Sequence, residues 1–199
     1  MAVDERIVSR RRALCRPLTF RSRKRARFAF RATHSPEPAV LQILQAVNAE
    51  HLETIRTLLG EYQALLGVDL SFQDFAAEVR DLPGAYSPPA GRLLLALNDG
   101  TPVGCVALRA VLGTRCEMKR LFVRPGTRGL GVGTALVARV VDEARAIGYS
   151  EMVLDTLPSM GDAQRLYAQF GFLDTDPYRS NPIAGTRYLI KVLSDGNLA

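Results

Sequence analysis

The glycine-rich string RGLGVGT at residues 128–134 holds the residues best suited to bind a phosphorylated ligand. Glycines at every second position let the backbone approach a ligand and adopt conformations that a Cβ atom would forbid. The string follows a strand-like apolar run and opens a long amphipathic helix, so the first helical amides are unpaired and lie at the positive end of the helix dipole. Arg128 adds a permanent cation. This pattern predicts a site for the phosphates of a nucleotide-like molecule.

Beyond Arg115 at its first position, the predicted strand 115–123 holds three charged residues, Glu117, Lys119 and Arg120. A strand in the middle of a sheet is usually almost entirely apolar, so these charges need either partners or a purpose. Strict alternation places Glu117 and Lys119 on one face and Arg120 on the other. One face then holds Glu117, Lys119, Leu121 and Val123, and the other holds Cys116, Met118, Arg120 and Phe122.

The elements that would position these residues follow from hydrophobic periodicity. Helical patterns cover residues 49–66, 71–82, 131–147 and 163–170, with capping spacings at Ser71 and Asp74 and at Ser159 and Asp162. Strand patterns cover residues 40–47, 92–98, 101–112, 115–123, 151–156, 172–175 and 186–193, with a hairpin turn at Asp99-Gly100. The proline-rich loop 83–91 is expected to expose Tyr86. The order of elements predicts a mixed α/β domain.

The composition is that of one folded domain with an appended tail. The chain has 199 residues, of which 47% are hydrophobic, and we expect a tail over residues 1–36 and a domain over residues 37–199. No apolar run approaches the roughly 20 residues that cross a bilayer, so we expect no membrane span. The cysteines at 15, 105 and 116 lack metal-like spacing, which predicts buried thiols in a reduced, cytoplasmic protein.

The net charge of +6 is concentrated in the tail. Residues 1–33 carry 11 Lys or Arg against 2 acidic residues, which leaves 15 basic and 18 acidic residues in the rest of the chain. A nucleic acid is therefore not an expected partner, except through the tail alone. The tail lacks the apolar segment of a secretory signal; a disordered extension, an organellar transit peptide and an arm that binds phosphate or anionic lipid stay open as interpretations.

Three strings of the body together resemble the GNAT superfamily of acetyl-CoA-dependent N-acyltransferases: CEMKRLFVRPGTRGLGVGTALVARVVDEARAIGY, MVLDT and AQRLYAQFGF. The RGxGxG turn matches the acyl-CoA signature of that family, and LYxxxGF matches its penultimate helix and following strand. The resemblance covers most of residues 40–193. It implies an α/β (α+β) fold with a twisted, mostly antiparallel sheet, flanking helices and two central strands that splay apart to admit the pantetheine arm.

The resemblance also implies roles for particular residues. Acetyl-CoA would be the co-substrate, with no metal, and the backbone of Phe122 and Val123 would pair with its pantetheine like an added strand. Tyr167 corresponds to the tyrosine that often protonates the departing thiolate, and Glu117 to the general base of the histone-acetylating branch. The pyrophosphate would lie on the amides of Arg128, Gly129, Leu130, Gly131, Val132, Gly133 and Thr134. Met160 stands where many relatives carry an Asn that contacts the cofactor arm.

The implied reaction is the transfer of an acetyl group to a primary amine of a small molecule or peptide, by direct attack in a ternary complex. An alkyl amine with a pKa of about 10 is mostly protonated at neutral pH and needs a base before its nitrogen can attack. Each residue also has a plainer interpretation: Glu117 could neutralise a basic group, and Tyr167 could be a core aromatic residue. We expect a monomer or a homodimer.

Two other functions fit parts of the pattern. Gly129, Gly131 and Asp155 loosely resemble a dinucleotide-binding fingerprint, but its third glycine falls at Thr134 and too little chain follows Asp155 for the remaining parallel units. A catalytically silent acyl-CoA sensor or protein-interaction module on the same fold is the second alternative. The presence of both Glu117 and Tyr167 argues against such a module.

The acceptor amine is expected to contact the loops 66–71, 83–91 and 176–186. These loops offer Tyr86, Tyr178, Arg179 and Asn181 as polar contacts. A free Arg179 would favour an acceptor that carries a carboxylate.

Overall fold

The structure is a computed structural model that describes residues 40–193. The tail, its predicted boundary at residue 36 and Cys15 lie outside the described residues. No helix among residues 40–193 is long and apolar enough to cross a membrane.

A seven-stranded sheet in the order β1-β2-β3-β4-β5-β7-β6 forms the centre of the domain. Its strands are β1 (Leu41–Gln45), β2 (Arg92–Asn98), β3 (Thr101–Ala110), β4 (Arg115–Val123), β5 (Glu151–Thr156), β6 (Leu173–Asp174) and β7 (Arg187–Val192). Every pairing is antiparallel except that of β4 with β5. The predicted mixed, mostly antiparallel fold is therefore confirmed. The Asp99-Gly100 hairpin is also confirmed, with positive φ at both residues.

Four α-helices flank the sheet: α1 (Ala49–Leu66), α2 (Phe75–Arg80), α3 (Val132–Ile147) and α4 (Gly161–Gln169). The Asn48 side chain accepts the amide of His51 and starts α1, and Gly67 ends it in the left-handed conformation. Apolar side chains alternate along β2, so Leu93 and Leu95 pack toward α1 while Leu94 packs toward α3. The sheet thus separates two hydrophobic cores, which we name the α1 core and the α3 core after the helix that covers each.

The segment between α1 and β2 differs from the prediction. Ser71 does not cap a helix that runs to residue 82; residues Ser71–Gln73 form a 3₁₀ turn, and the Asp69 carboxylate accepts both the amide and the hydroxyl of Ser71. Tyr86 is only 2% exposed, because a second 3₁₀ turn, Gly84–Tyr86, folds the loop back against β3 and buries the ring in the α1 core. Ser159 likewise makes no cap for α4.

A bulge in β4 breaks the predicted alternation. Cys105 pairs with Phe122 and Ala107 with Lys119, so two steps on β3 match three on β4. Arg120 sits at the extra residue with φ +58°. Lys119 and Arg120 therefore both point toward the side of α1 and α2, and Leu121, instead of Arg120, packs against the α3 core.

Candidate active site

A cleft opens where β4 and β5 separate, which we name the central cleft. Parallel pairing joins residues 115–117 of β4 to residues 151–153 of β5 and then stops, while β5 stays paired with β7 along its length. The cleft has an empty volume of about 530 Å³, part of which is open to solvent. Its lining residues are Tyr62, Leu66, Leu70, Gln73, Met118, Lys119, Arg120, Leu121, Asp155, Leu157, Met160 and Tyr167. The divergence leaves one edge of β4 without a strand partner beside residues 118–123.

The glycine-rich turn connects the end of β4 to α3. Gly129 and Gly131 have φ values of +83° and +79°, which disfavour any residue with a Cβ atom. Gly131 is the N-cap residue that directly precedes α3, and no side chain caps that end. A Cβ atom at Gly133 would lie 3.4 Å from Leu166 and 3.7 Å from Val123, so this turn packs closely against β4 and α4.

The amides of this turn divide into two groups. Those of Arg128 and Leu130 donate within the turn, to the carbonyls of Pro125 and Thr127. The others have no hydrogen-bond partner among the described residues; they belong to Gly129, Gly131, Val132, Gly133 and Thr134. Unpaired donors at the N-terminus of a long helix suit a pyrophosphate, so this part of the chain fits the phosphates of coenzyme A.

The Arg128 side chain lies at the same end of α3. It is exposed, its Nε lies 3.4 Å from the Val123 carbonyl oxygen, and it has no carboxylate partner among residues 40–193. A cation that no acidic side chain neutralises adds to the positive field of the helix end. The electrostatics of the turn therefore favour an anionic ligand.

Tyr167 reaches the central cleft from α4. It is 5% exposed, and its ring packs against Phe172 with 5.8 Å between centroids. Burial raises the pKa of its hydroxyl above the ordinary value of 10.0. The hydroxyl therefore stays protonated at neutral pH and can donate to a ligand in the cleft.

Glu117 lies behind the cleft lining and is fully buried. Its Oε2 accepts Arg109 Nε at 2.8 Å and lies 2.7 Å from Arg109 Nη2. Its Oε1 accepts the Tyr178 hydroxyl at 2.9 Å and lies 3.5 Å from Arg179 Nε. With both oxygens occupied and no exposed surface, Glu117 cannot touch an amine in the cleft directly in this conformation.

Lys119 was not among the sequence-predicted site residues, yet it lines the central cleft at 6% exposure. Its Nζ donates to Gln73 Oε1 at 3.2 Å, and no carboxylate oxygen within residues 40–193 is at ion-pair distance. Burial lowers the pKa of Lys119 from 10.5 to about 8; the charge of Glu117 opposes this effect and three neighbouring arginines add to it. The run of charges in β4 was the feature of the sequence that could have indicated Lys119. The direction of its side chain depends on the bulge, which the sequence pattern does not reveal.

Arg179 is not free to bind an acceptor, contrary to expectation. Its Nη2 lies 2.7 Å from each carboxylate oxygen of Asp155, and Asn181 donates to the same carboxylate at 2.8 Å. Asp155 is the one acidic residue in the described lining of the central cleft. Of the three predicted acceptor loops, only 66–71 contributes to that lining; residues 83–86 line a separate cleft beside Glu78 and Arg109.

The structure also places Met160 and two of the cysteines. Met160 lines the central cleft directly before α4, so an apolar thioether occupies the position at which the resemblance would place an Asn amide. Cys105 and Cys116 are buried and free, as predicted, and burial raises both thiol pKa values to about 12. A thiol of that kind is a packed group and a poor nucleophile.

Comparison with known proteins identifies a family. The model of the acetyltransferase (GNAT) family matches residues 53–172. An uncharacterized N-acetyltransferase of Schizosaccharomyces pombe is 41% identical over 155 residues, covering 77% of this chain and 95% of the relative. An IAA acetyltransferase of Azospirillum brasilense is 41% identical over 91 residues, which cover 45% of this chain and 60% of the relative.

Solved structures share the fold. A GNAT-family acetyltransferase of Staphylococcus aureus superposes with a TM-score of 0.66 at 20% identity, over 78% of this chain and all of that one. An acetyltransferase of Salmonella typhimurium, solved with its cofactor acetyl-CoA, has a TM-score of 0.56 at 20% identity and covers 79% of this chain and 96% of its own.

Proposed function

The chain belongs to the acetyltransferase (GNAT) family, and from that premise we propose that it transfers the acetyl group of acetyl-CoA to a primary amine of a small molecule or peptide, in a ternary complex without an acetyl-enzyme intermediate. The observation that carries the proposal is the meeting of two features beside β4: the unpaired amides that open α3 and the central cleft containing Tyr167. The first suits the phosphates of the donor and the second suits its thioester end.

Donor binding is proposed along one continuous path. The free amides from Gly129 to Thr134, with Arg128, would hold the pyrophosphate. The backbone of Phe122 and Val123 follows, at the β4 edge that β5 leaves open, and would pair with the amide groups of the pantetheine as an added strand does. When bound, acetyl-CoA supplies an activated acetyl thioester.

Tyr167 is the proposed general acid. The amine nitrogen attacks the acetyl carbonyl carbon, the carbon–sulfur bond breaks, and the departing thiolate takes a proton from a nearby donor. Tyr167 lines the cleft, and its protonated hydroxyl can donate to that sulfur.

Glu117 is the proposed general base, acting through Tyr178. Among the described partners of Glu117, only the Tyr178 hydroxyl can both donate and accept a hydrogen bond, since guanidinium groups have no acceptor. The phenol oxygen would accept the proton of the amine while its own proton moves to Oε1 of Glu117. This relay would give the buried carboxylate a route to an amine that reaches the Tyr178 hydroxyl, which lies in the loop 176–186 and outside the lining of the central cleft.

An assay of acetyl-CoA consumption tests the function. Release of free CoA thiol is followed with amino acids, polyamines, aminoglycosides and short peptides as acceptors, alongside calorimetric titration of acetyl-CoA. We expect acetyl-CoA to bind and one class of amine to be acetylated. Tight binding of acetyl-CoA without turnover of any amine would contradict the proposed enzymatic activity and favour the acyl-CoA sensor. The cytoplasmic location and the choice between monomer and homodimer stay predictions.

A further inference from the structure

Each acidic side chain around the central cleft forms an ion pair with an arginine, and one cation has no carboxylate partner among the described residues. Arg120 donates through Nε and Nη2 to the two oxygens of Glu78, at 2.7 Å each. The other two pairs are Arg109 with Glu117 and Arg179 with Asp155, both at 2.7 Å. Every acidic group of this described cluster therefore has a guanidinium partner.

Lys119 is the cation that remains. Its only hydrogen-bond acceptor among residues 40–193 is the neutral amide oxygen of Gln73, which cannot compensate a charge. A nearly buried ammonium group without a counter-ion is costly for a folded chain unless a ligand supplies the negative charge. Its place in the lining of the cleft puts Lys119 where such a ligand would meet it.

Resting on the proposed function, we infer that the acceptor amine carries a carboxylate group, as an amino acid does, and that Lys119 binds this carboxylate. Lys119 and Tyr167 line the same cleft, so an acceptor held at Lys119 has its amine close to the reacting end of the donor. The neighbouring arginines cannot take this role, since each already holds a carboxylate of the protein. Lys119 is thus a residue that determines acceptor specificity.

The fold explains why this cation faces the cleft. The bulge at Arg120 turns two successive β4 side chains to the same side of the sheet, Lys119 toward Gln73 and Arg120 toward Glu78. Arg120 also stacks on the Phe75 ring at 4.7 Å, which helps to hold its guanidinium group at Glu78. The two neighbouring cations therefore differ in function: Arg120 joins β4 to α2, and Lys119 is left for a ligand.

Matched acceptor pairs test the inference. Each amino acid is assayed beside its carboxamide, which keeps the amine and side chain but lacks the negative charge. The enzymes are the wild type, Lys119→Gln, Lys119→Arg and, as a matched control, Lys191→Gln, whose lysine lies on β7 outside the cleft lining. Thermal unfolding of each variant confirms folding before kinetics are compared.

We expect the wild type to prefer the carboxylate over the carboxamide by at least about tenfold in kcat/KM, since a charge-assisted contact is lost. Lys119→Gln should lower kcat/KM for the carboxylate roughly 10- to 100-fold and affect the carboxamide far less, so the preference disappears. Lys119→Arg should retain part of the preference, and Lys191→Gln all of it. Equal use of both acceptors by the wild type, or an undiminished preference in Lys119→Gln, overturns the inference.

Product binding separates this inference from the proposed function. Calorimetry with an N-acetyl amino acid and its carboxamide needs no turnover, so it reports on Lys119 even if no amine is acetylated. Tighter binding of the carboxylate that disappears in Lys119→Gln supports the site. Equal affinity of the wild type for the N-acetyl amino acid and its carboxamide refutes the site, whatever the kinetic assays give.

Discussion

Replacing Lys119 with Met should stabilise the protein at neutral pH. In the folded chain the pKa of Lys119 is held at about 8, against an ordinary value of 10.5. Each pKa unit corresponds to about 1.4 kcal/mol, so the buried ammonium group costs roughly 3 kcal/mol of folding free energy. Met fills a similar volume, and the hydrogen bond lost at Gln73 offsets about 1 kcal/mol of the gain. A net gain of about 2 kcal/mol should raise Tm by roughly 4–8 °C.

The pH dependence of this effect has a definite sign. Because the folded state binds the proton of Lys119 more weakly than the unfolded state, the full cost is present below pH 8 and is lost as the pH rises toward 10.5. Lys119 should therefore make wild-type stability rise through that interval. The Met variant should lack this rise.

Urea unfolding at several pH values measures the free energy of unfolding and its pH dependence. Far-UV circular dichroism is a suitable probe because the chain has no tryptophan. Lys191→Met is the matched control, since Lys191 lies on β7 and is only partly buried; its effect should stay within about 0.5 kcal/mol. A Lys119→Met variant that is no more stable than the wild type, with an unchanged m-value, would refute the view that Lys119 is an uncompensated charge.

Other predictions concern the reaction. Tyr167→Phe should lower kcat roughly 100-fold or more by removing the proton donor to the thiolate, while the calorimetric Kd of acetyl-CoA stays the same; unchanged kcat removes Tyr167 from the mechanism. Glu117→Gln and Tyr178→Phe should each lower kcat, and the double variant should be little worse than either; fully additive losses in this cycle would exclude the relay. Gly131→Glu should abolish acetyl-CoA binding by placing bulk and negative charge at the free amides, so retained binding in a titration would contradict that placement.

Much of the fold could be predicted from periodicity and turn chemistry. The predicted bounds of β2, β4 and β5 agree with the structure, and those of α1 and α3 agree to within a residue, because each element carries a long apolar stripe or alternation and ends at a glycine or a turn. The residues of the glycine-rich turn could be located for the same reason. Its division into free and internally bonded amides could not, since that depends on the fold of Pro125–Thr127.

The errors arose where tertiary contacts override local pattern. Alternation cannot reveal a bulge, so the direction of Arg120 was predicted wrongly. A proline-rich loop predicts exposure, but packing against the α1 core buries Tyr86. The charge of Arg179 suggested a substrate contact, while its pairing with Asp155 over a separation of 24 residues depends on how β5 and the β6–β7 loop meet. Lys119 could be identified as a site residue only from the structure, which shows that the arginines beside it each hold a carboxylate.

Mass spectrometry with isotopically labelled acetyl-CoA tests the central claim most directly. After incubation with an accepted amine, we predict that the label appears as one acetyl group on the amine nitrogen, that free CoA forms in equal amount, and that the intact protein carries no label. Label on the protein before it reaches the amine would contradict direct transfer. Labelled acetate without an acetylated amine would contradict the assignment as an N-acetyltransferase.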